Sequence, residues 1–154
     1  MESKKSFFPL FIDLTNKDCL VVGGGNIALR KVKSLVEYGA RVIVIAPYIL
    51  PQIAELDVEA EKRIFKVEDI KGKFLVVAAT DDENLNEMIV DLCEDNNILV
   101  NNITSKVYMS ARFTAHIDTD EYQVAVSAKG NPKESVKLKK ELIEYLKNRV
   151  KEKD

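Results

Sequence analysis

The sequence is short of cysteine, histidine and net charge, and each shortage narrows what the protein can be. Its two cysteines, Cys19 and Cys93, share no metal-ligand spacing and follow no secretory signal. Neither a disulfide framework nor a metal site is expected, and both read as buried or half-buried thiols of a reducing, cytoplasmic compartment. Lysine and arginine number 23 against 25 aspartates and glutamates, a formal charge of −2, so no basic field is available to draw nucleic acid. No apolar run approaches the roughly 20 residues that span a bilayer, and no membrane partner is expected. Internal repeats and low-complexity tracts are absent too. What remains is an ordinary globular composition, 46% hydrophobic and 31% charged. A length of 154 residues allows one main domain with a short appendage.

Hydrophobic spacing sets out the order of elements. Cys19–Val22 is a short apolar run that predicts a strand, interrupted by Gly23, Gly24 and Gly25. From Asn26, the apolar positions Ala28, Val32, Leu35 and Val36 recur at helical spacing until Gly39 stops the helix. Residues 41–46 predict a second buried strand, ended by Pro47. Strand, glycine turn, helix and strand within about thirty residues make a βαβ unit, so the sheet is at least partly parallel. Further along, a short helix over 51–56, a strand over 58–65, a buried strand over 74–79, a helix over 83–95 and a strand over 98–101 are predicted. Residues 104–110 are polar and irregular. Strands near 112–117 and 122–127 alternate more openly, which predicts an antiparallel element at or beyond the sheet edge. The last helix opens at Pro132 and runs to about residue 151, with Val136, Leu138, Leu142, Tyr145 and Leu146 as its apolar stripe. Its lysines alternate with Glu134, Glu141, Glu144 and Glu152, the pattern of a solvated face with i,i+4 pairs.

The residues Gly23-Gly24-Gly25-Asn26-Ile27-Ala28 match G-x-G-x-x-A between a predicted strand and a predicted helix. This is the fingerprint of a Rossmann-like dinucleotide site. Gly23 permits the tight turn, Gly25 lets a pyrophosphate approach the backbone, and Ala28 lets helix and strand pack closely. The free amides near Asn26 and Ile27 and the positive end of the helix dipole favour phosphate. The alternative is a glycine-rich turn that holds nothing. The acid that commonly binds the adenosine ribose is missing, because the second strand ends at Ala46 and Pro47. Thr80 and Asp81, after the third core strand, are candidates to touch the nucleotide or to cap the next helix.

In this order the motifs resemble the precorrin-2 dehydrogenase and sirohydrochlorin ferrochelatase family, which includes the amino-terminal domain of siroheme synthase. The resemblance runs through Phe8-Pro9-Leu10-Phe11-Ile12-Asp13-Leu14, the glycine turn with Arg30 and Lys31, and Val44-Ile45-Ala46-Pro47. It continues through Ala78-Ala79-Thr80-Asp81-Asp82 with Leu85-Asn86, through Ile98-Leu99-Val100-Asn101, and through Val124-Ala125-Val126-Ser127. The resemblance implies an α/β fold, a Rossmann-like parallel sheet with helices on both faces. It implies an NAD-binding domain over residues 1–112 and a carboxyl-terminal dimerisation segment of strands and a helix over 113–154, shorter than in the family. It also implies a homodimer that oxidises precorrin-2, a tetrapyrrole, to sirohydrochlorin with NAD, and some relatives insert metal into the product. Cofactor contacts then fall on Gly23, Gly24, Gly25, Asn26, Ile27, Ala46, Pro47, Thr80 and Asp81.

Two departures bear on catalysis. Where the family carries an aspartate after its Val-Asn strand this chain has Thr104, and the catalytic expectation rests on Thr104 and Asn101. A neutral hydroxyl does not replace a carboxylate base without an activating partner. The family's Ser-x-Gly-Gly-x-Ser-Pro turn is eroded to Ser127-Ala128-Lys129-Gly130-Asn131-Pro132. Lys106, Arg112, His116, Ser127 and Lys129 lie in the segments where the family binds its polycarboxylate substrate, with surface charge as the alternative. A second reading of the whole chain is a relative that holds NAD or a tetrapyrrole without turning it over.

Overall fold

The computed structural model describes residues 5–153, with the side chain of the last of these left aside. Residues 1–4 and 154, the ends of the two expected domains, lie outside the described residues. Chain contacts divide the protein into two compact units, one ending at Arg112 and one beginning at Phe113.

The first unit is built on five parallel strands: β1 (Asp18–Val22), β2 (Arg41–Ala46), β3 (Glu59–Lys62), β4 (Leu75–Ala78) and β5 (Leu99–Asn102). Their order is β3-β2-β1-β4-β5, with every pair parallel. Helix α1 (Asn26–Glu37) joins β1 to β2, the short α2 (Pro51–Ala54) precedes β3, and α3 (Glu83–Asp95) joins β4 to β5. Because β1→β2 and β4→β5 step in opposite directions across the sheet, right-handed crossovers place α1 and α3 on opposite faces. This is the doubly covered Rossmann-like sheet expected from the sequence.

Period-two alternation sorts the core. On one face Leu20, Val22, Ile45, Val76, Ala78 and Val100 pack with Ile89, Val90 and Cys93 of α3. The intervening residues Val21, Val44 and Val77 are equally buried, as are Ala28, Val32 and Leu35 of α1. Burial pushes the Cys19 thiol up to about 11 and the Cys93 thiol up to about 12, so both stay protonated at neutral pH.

Several elements differ from the sequence-based reading. β3 is only four residues long and fully polar but for Ala60, and it exists because β2 offers it a parallel partner. A 3₁₀ turn over Val67–Ile70 was not legible in the sequence. It is fastened by Asp69, which accepts two bonds from the Arg63 guanidinium at 2.8 and 2.9 Å and one from the Lys66 amide at 2.7 Å. The irregular segment after β5 folds back along that edge strand. Ser110 and Ala111 amides both donate to the Val100 carbonyl at 2.9 Å, while the Ser110 hydroxyl accepts from the Val100 amide. An exposed parallel edge is thereby covered.

The second unit holds an antiparallel pair, β6 (Ala115–Asp118) and β7 (Gln123–Val126), which forms a two-stranded sheet of its own, and the long helix α4 (Pro132–Lys153). The expected apolar stripe of α4 is only partly covered: Leu142 and Leu146 are half-buried, whereas Val136, Leu138 and Tyr145 are exposed. Of the expected i,i+4 charge pairs the described residues show instead an i,i+3 pair, Glu144 with Lys147 at 3.7 Å. No described helix is long and apolar enough to cross a membrane.

Candidate dinucleotide-binding cleft

The three consecutive glycines do different work at the carboxyl edge of the sheet. Gly23 has φ of +130°, and a Cβ built on it would stand 2.2 Å from the Ala79 carbonyl oxygen. Its amide donates to the Ile45 carbonyl at 3.0 Å, so the turn starts flush between the ends of β2 and β4. A Cβ on Gly24 would stand 2.1 Å from the Tyr48 carbonyl oxygen, and the Leu50 amide donates to the Gly24 carbonyl at 2.9 Å. Gly25 is the exception, with nothing within 4 Å of the position a Cβ would take. Two glycines are therefore demanded by the protein's own backbone, and the third opens onto free space.

That space lies at the start of α1. Gly25 is the N-cap residue, no side chain caps the helix, and no acidic residue occupies its first turn. The first intrahelical bond runs from the Leu29 amide to the Gly25 carbonyl at 2.9 Å, which leaves the amides of Asn26, Ile27 and Ala28 without helical acceptors. Asn26 and Ile27 are exposed and Ala28 is fully buried against the sheet. Unpaired amides, the helix dipole and a Cβ-free approach together make a fitting cradle for a diphosphate. Ala46 is buried and Pro47 exposed at the end of β2, where the sequence carries no acid for the ribose. One turn along α1, burial and the neighbouring Arg30 charge push the half-buried Lys31 amine down to about 8.

Thr80 and Asp81 follow β4 on the same edge. Neither caps α3, contrary to the alternative role considered for them. The helix begins at Glu83, and the N-cap is Asp82, whose side chain accepts from the Leu85 amide at 3.2 Å. Thr80 is diverted to another partner, Asn86. Its hydroxyl donates to Asn86 Oδ1 at 2.6 Å, its amide donates to the same oxygen at 3.2 Å, and its carbonyl accepts from Asn86 Nδ2 at 3.0 Å. Asp81 is exposed.

Thr104 joins this network. Its hydroxyl accepts from Asn86 Nδ2 at 3.2 Å and donates to Asn102 Oδ1 at 2.9 Å. Asn101 is 3% exposed, and its Nδ2 donates to the Ala111 carbonyl at 2.9 Å. Its Oδ1 is a buried acceptor with no hydrogen-bond partner among the described residues. Thr104 and Asn101 are not brought together. The register puts Asn102 level with Ala78 on the α3 face of the sheet, and Asn101 on the other.

The expected substrate residues divide between the two units. Lys106 is exposed on the segment that covers β5, and its carbonyl accepts from the Arg112 guanidinium, which also lies 4.2 Å from the Phe7 ring centroid. Arg112 is therefore already committed to local structure. In the second unit, half-buried His116 lies on β6 opposite Ala125, exposed Ser127 follows β7, and Lys129 sits in the next turn with φ of +52°. Among the described residues no group of three or more His, Cys, Asp and Glu side chains gathers in a metal-binding arrangement.

Sequence reasoning missed Asn86 and Asn102 as parts of this edge. Both are buried, at 0% and 1% exposure, and a signal existed for Asn86. It interrupts the apolar side of α3 in line with Ile89, Val90 and Cys93, and a buried carboxamide in that place needs partners.

Comparison with known proteins agrees with this geometry. Siroheme synthase of Thioalkalivibrio sulfidiphilus is 39% identical over 142 residues, 90% of this chain and 29% of the synthase. Siroheme synthase of Mannheimia succiniciproducens is 40% identical over 146 residues, 92% of this chain and 30% of the synthase. The chain thus spans about 30% of the length of these curated relatives. The solved structure of SirC, precorrin-2 dehydrogenase, superposes with a TM-score of 0.76 at 28% identity, covering 88% of this chain and 69% of that one. The model of the NAD(P)-binding family matches residues 10–115, from the segment before β1 through the whole parallel sheet. With the glycine turn, the uncapped helix and the opening at Gly25 inside that match, the chain belongs to the NAD(P)-binding family.

Proposed function

We propose that this protein is an NAD-dependent precorrin-2 dehydrogenase acting in siroheme synthesis. One observation carries the cofactor half: Gly25, unlike the two glycines before it, faces open space at an uncapped helix start. The substrate half rests on the likeness to SirC and to the siroheme synthases.

In this reading the amides of Asn26 and Ile27 hold the pyrophosphate, which approaches past Gly25, while Gly23 and Gly24 keep the turn low enough for it to enter. Ala46 and Pro47 border the adenosine side, and Thr80 and Asp81 border the nicotinamide side. When bound, the nicotinamide supplies the hydride acceptor. The chain's own contribution is to hold cofactor and substrate in line and to offer polar groups at the β4 and β5 ends, since alignment alone can provide much of a hydride-transfer rate. Lys106, His116, Ser127 and Lys129 are each proposed as contacts of the tetrapyrrole carboxylates, whereas Arg112 is held by its local partners. The second unit is assigned to homodimerisation, supported by the exposed apolar residues Val136, Leu138, Tyr145 and Val150 of α4. The cytoplasm is the assigned compartment.

Incubation of the purified protein with precorrin-2 and NAD, followed by absorbance, tests the reading. Sirohydrochlorin and NADH should rise together in proportion to enzyme. No change in either at several enzyme concentrations rejects the dehydrogenase assignment. NADH binding by calorimetry without turnover would favour the second reading, a binding relative, for which the neutral residue at position 104 already speaks.

A further inference from the structure

Asn86 is a buried polar side chain that the dinucleotide reading leaves unused. It is 0% exposed and lies on the α3 side that packs into the core. A buried carboxamide is costly unless its donors and acceptor are met, by about 1–3 kcal/mol for each group left unpaired. Here they are all met: Oδ1 accepts from the Thr80 amide and hydroxyl, and Nδ2 donates to the Thr80 carbonyl and the Thr104 hydroxyl. Its orientation is fixed as well, because rotating the amide would set oxygen against the Thr80 carbonyl and nitrogen against the Thr80 amide.

Gripping both the amide and the carbonyl of one residue holds that residue as a neighbouring strand would. The residue held is the one that follows the wall of the glycine turn. A Cβ on Gly23 would stand 2.2 Å from the Ala79 oxygen and 3.2 Å from the Thr80 nitrogen. Asn86 therefore fixes the peptide against which the turn is seated.

Thr104 locks the arrangement from outside. Asn102 cannot rotate, since its Oδ1 accepts from the Thr104 amide at 3.0 Å and its Nδ2 donates to the Tyr108 carbonyl at 3.2 Å. The Thr104 hydroxyl must then give its proton to Asn102 and take one from Asn86. Threonine and asparagine side chains do not titrate in the working range, so the network stays neutral throughout.

We propose that Asn86 is the positioning residue of the dinucleotide cleft, holding the end of β4 against the glycine turn, and that Thr104 is its outer latch and accepts no proton from substrate. This rests on the dinucleotide-binding reading above, and the test separates the two. NADH binding by calorimetry comes first on the wild-type chain; a chain that takes up no NADH removes the reading itself, before any variant is compared. With wild-type binding in hand, Asn86→Ala should weaken NADH about tenfold or more. Thr104→Val, which keeps shape and removes the hydroxyl, should weaken it by roughly three- to tenfold, with Thr104→Ser close to wild type. Where precorrin-2 is oxidised, Thr104→Val should leave the shape of the pH–rate profile unchanged between roughly pH 6 and 9. Wild-type NADH affinity in folded Asn86→Ala overturns the positioning role. Wild-type NADH affinity in Thr104→Val together with a loss of turnover beyond about 100-fold, or a displaced limb of the pH profile, makes Thr104 a proton acceptor and overturns the latch. Should Asn86→Ala not fold, the Thr104→Val and Thr104→Ser pair decides alone, since a latch raises the NADH dissociation constant and a base does not.

Discussion

Adding one methyl group at Gly23 and at Gly25 should have opposite consequences. At Gly23 the new Cβ meets the Ala79 oxygen at 2.2 Å and the Ala79 carbon at 2.6 Å, both inside the 3.0 Å that real Cβ atoms keep, on a residue with φ of +130°. Left-handed strain of about 1–2 kcal/mol and a forced backbone shift of about 1–3 kcal/mol together give about 2–5 kcal/mol of destabilisation. For a chain of this size that lowers the melting midpoint by roughly 5–15 °C. At Gly25, with φ of −91° and ψ of −164°, alanine is conformationally ordinary and meets nothing within 4 Å. Restricting the unfolded chain stabilises by about 0.4–1 kcal/mol, and replacing glycine with alanine at an N-cap costs about as much, so stability should stay within about 0.5 kcal/mol of wild type. The methyl instead occupies the approach to the Asn26 and Ile27 amides, and NADH affinity should fall about ten- to hundredfold, or about 1.4–2.7 kcal/mol. Thermal melts followed by circular dichroism, with calorimetric titration of NADH, measure both quantities. If Gly25→Ala binds NADH as wild type does, or melts as low as Gly23→Ala, the division of labour among the three glycines is wrong.

Three further outcomes are expected. Lys31 carries a folded pKa of about 8 against 10.5 when unfolded, so its buried charge penalises the fold below pH 8 and the penalty fades as pH rises toward 10.5. The melting midpoint of Lys31→Met should therefore exceed wild type at pH 7, and the difference should shrink between pH 8 and 10.5. The Arg63 guanidinium holds the Asp69 carboxyl below its ordinary 3.8, so the stability it contributes is present above that value and is lost as pH falls through the lower folded one. Asp69→Asn should cost about 1–2 kcal/mol at neutral pH by urea denaturation, after allowing for solvent at Arg63, and almost nothing in strong acid. Asn101→Ala frees the Ala111 carbonyl from its clasp, which should cost about 1–2 kcal/mol and speed hydrogen exchange at the Ser110 and Ala111 amides while leaving the α1 amides protected.

The parts of the fold that the sequence disclosed are those specified by local pattern. Residues 18–46 combine a buried run, a glycine turn, helical spacing and Gly39 at φ of +82°, and each cue points the same way. Helix α3 was legible from Glu83 to Asp95 for the same reason. β3 was legible in place but not in extent: a strand was expected over 58–65, whereas only Glu59-Ala60-Glu61-Lys62, which has no apolar alternation, pairs with β2. The candidate site divides along the same line. The glycine turn is contiguous, so its geometry could be foreseen, including the missing acid after β2. The Thr80–Asn86–Thr104–Asn102 network is assembled by tertiary contact between a loop, a helix and a strand end, and Thr104 reads in sequence only as a lost carboxylate.

The seating of Gly24 under the Tyr48 carbonyl constrains how this protein could be adapted to a different cofactor. Dinucleotide sites of this fold distinguish phosphorylated from unphosphorylated adenosine riboses with side chains just beyond the second strand. Here any lengthening of residues 47–50 would lever the turn itself, because Leu50 is tied to Gly24 across 2.9 Å. Redesign must proceed by exchanging outward side chains such as that of the exposed Tyr48, at constant loop length.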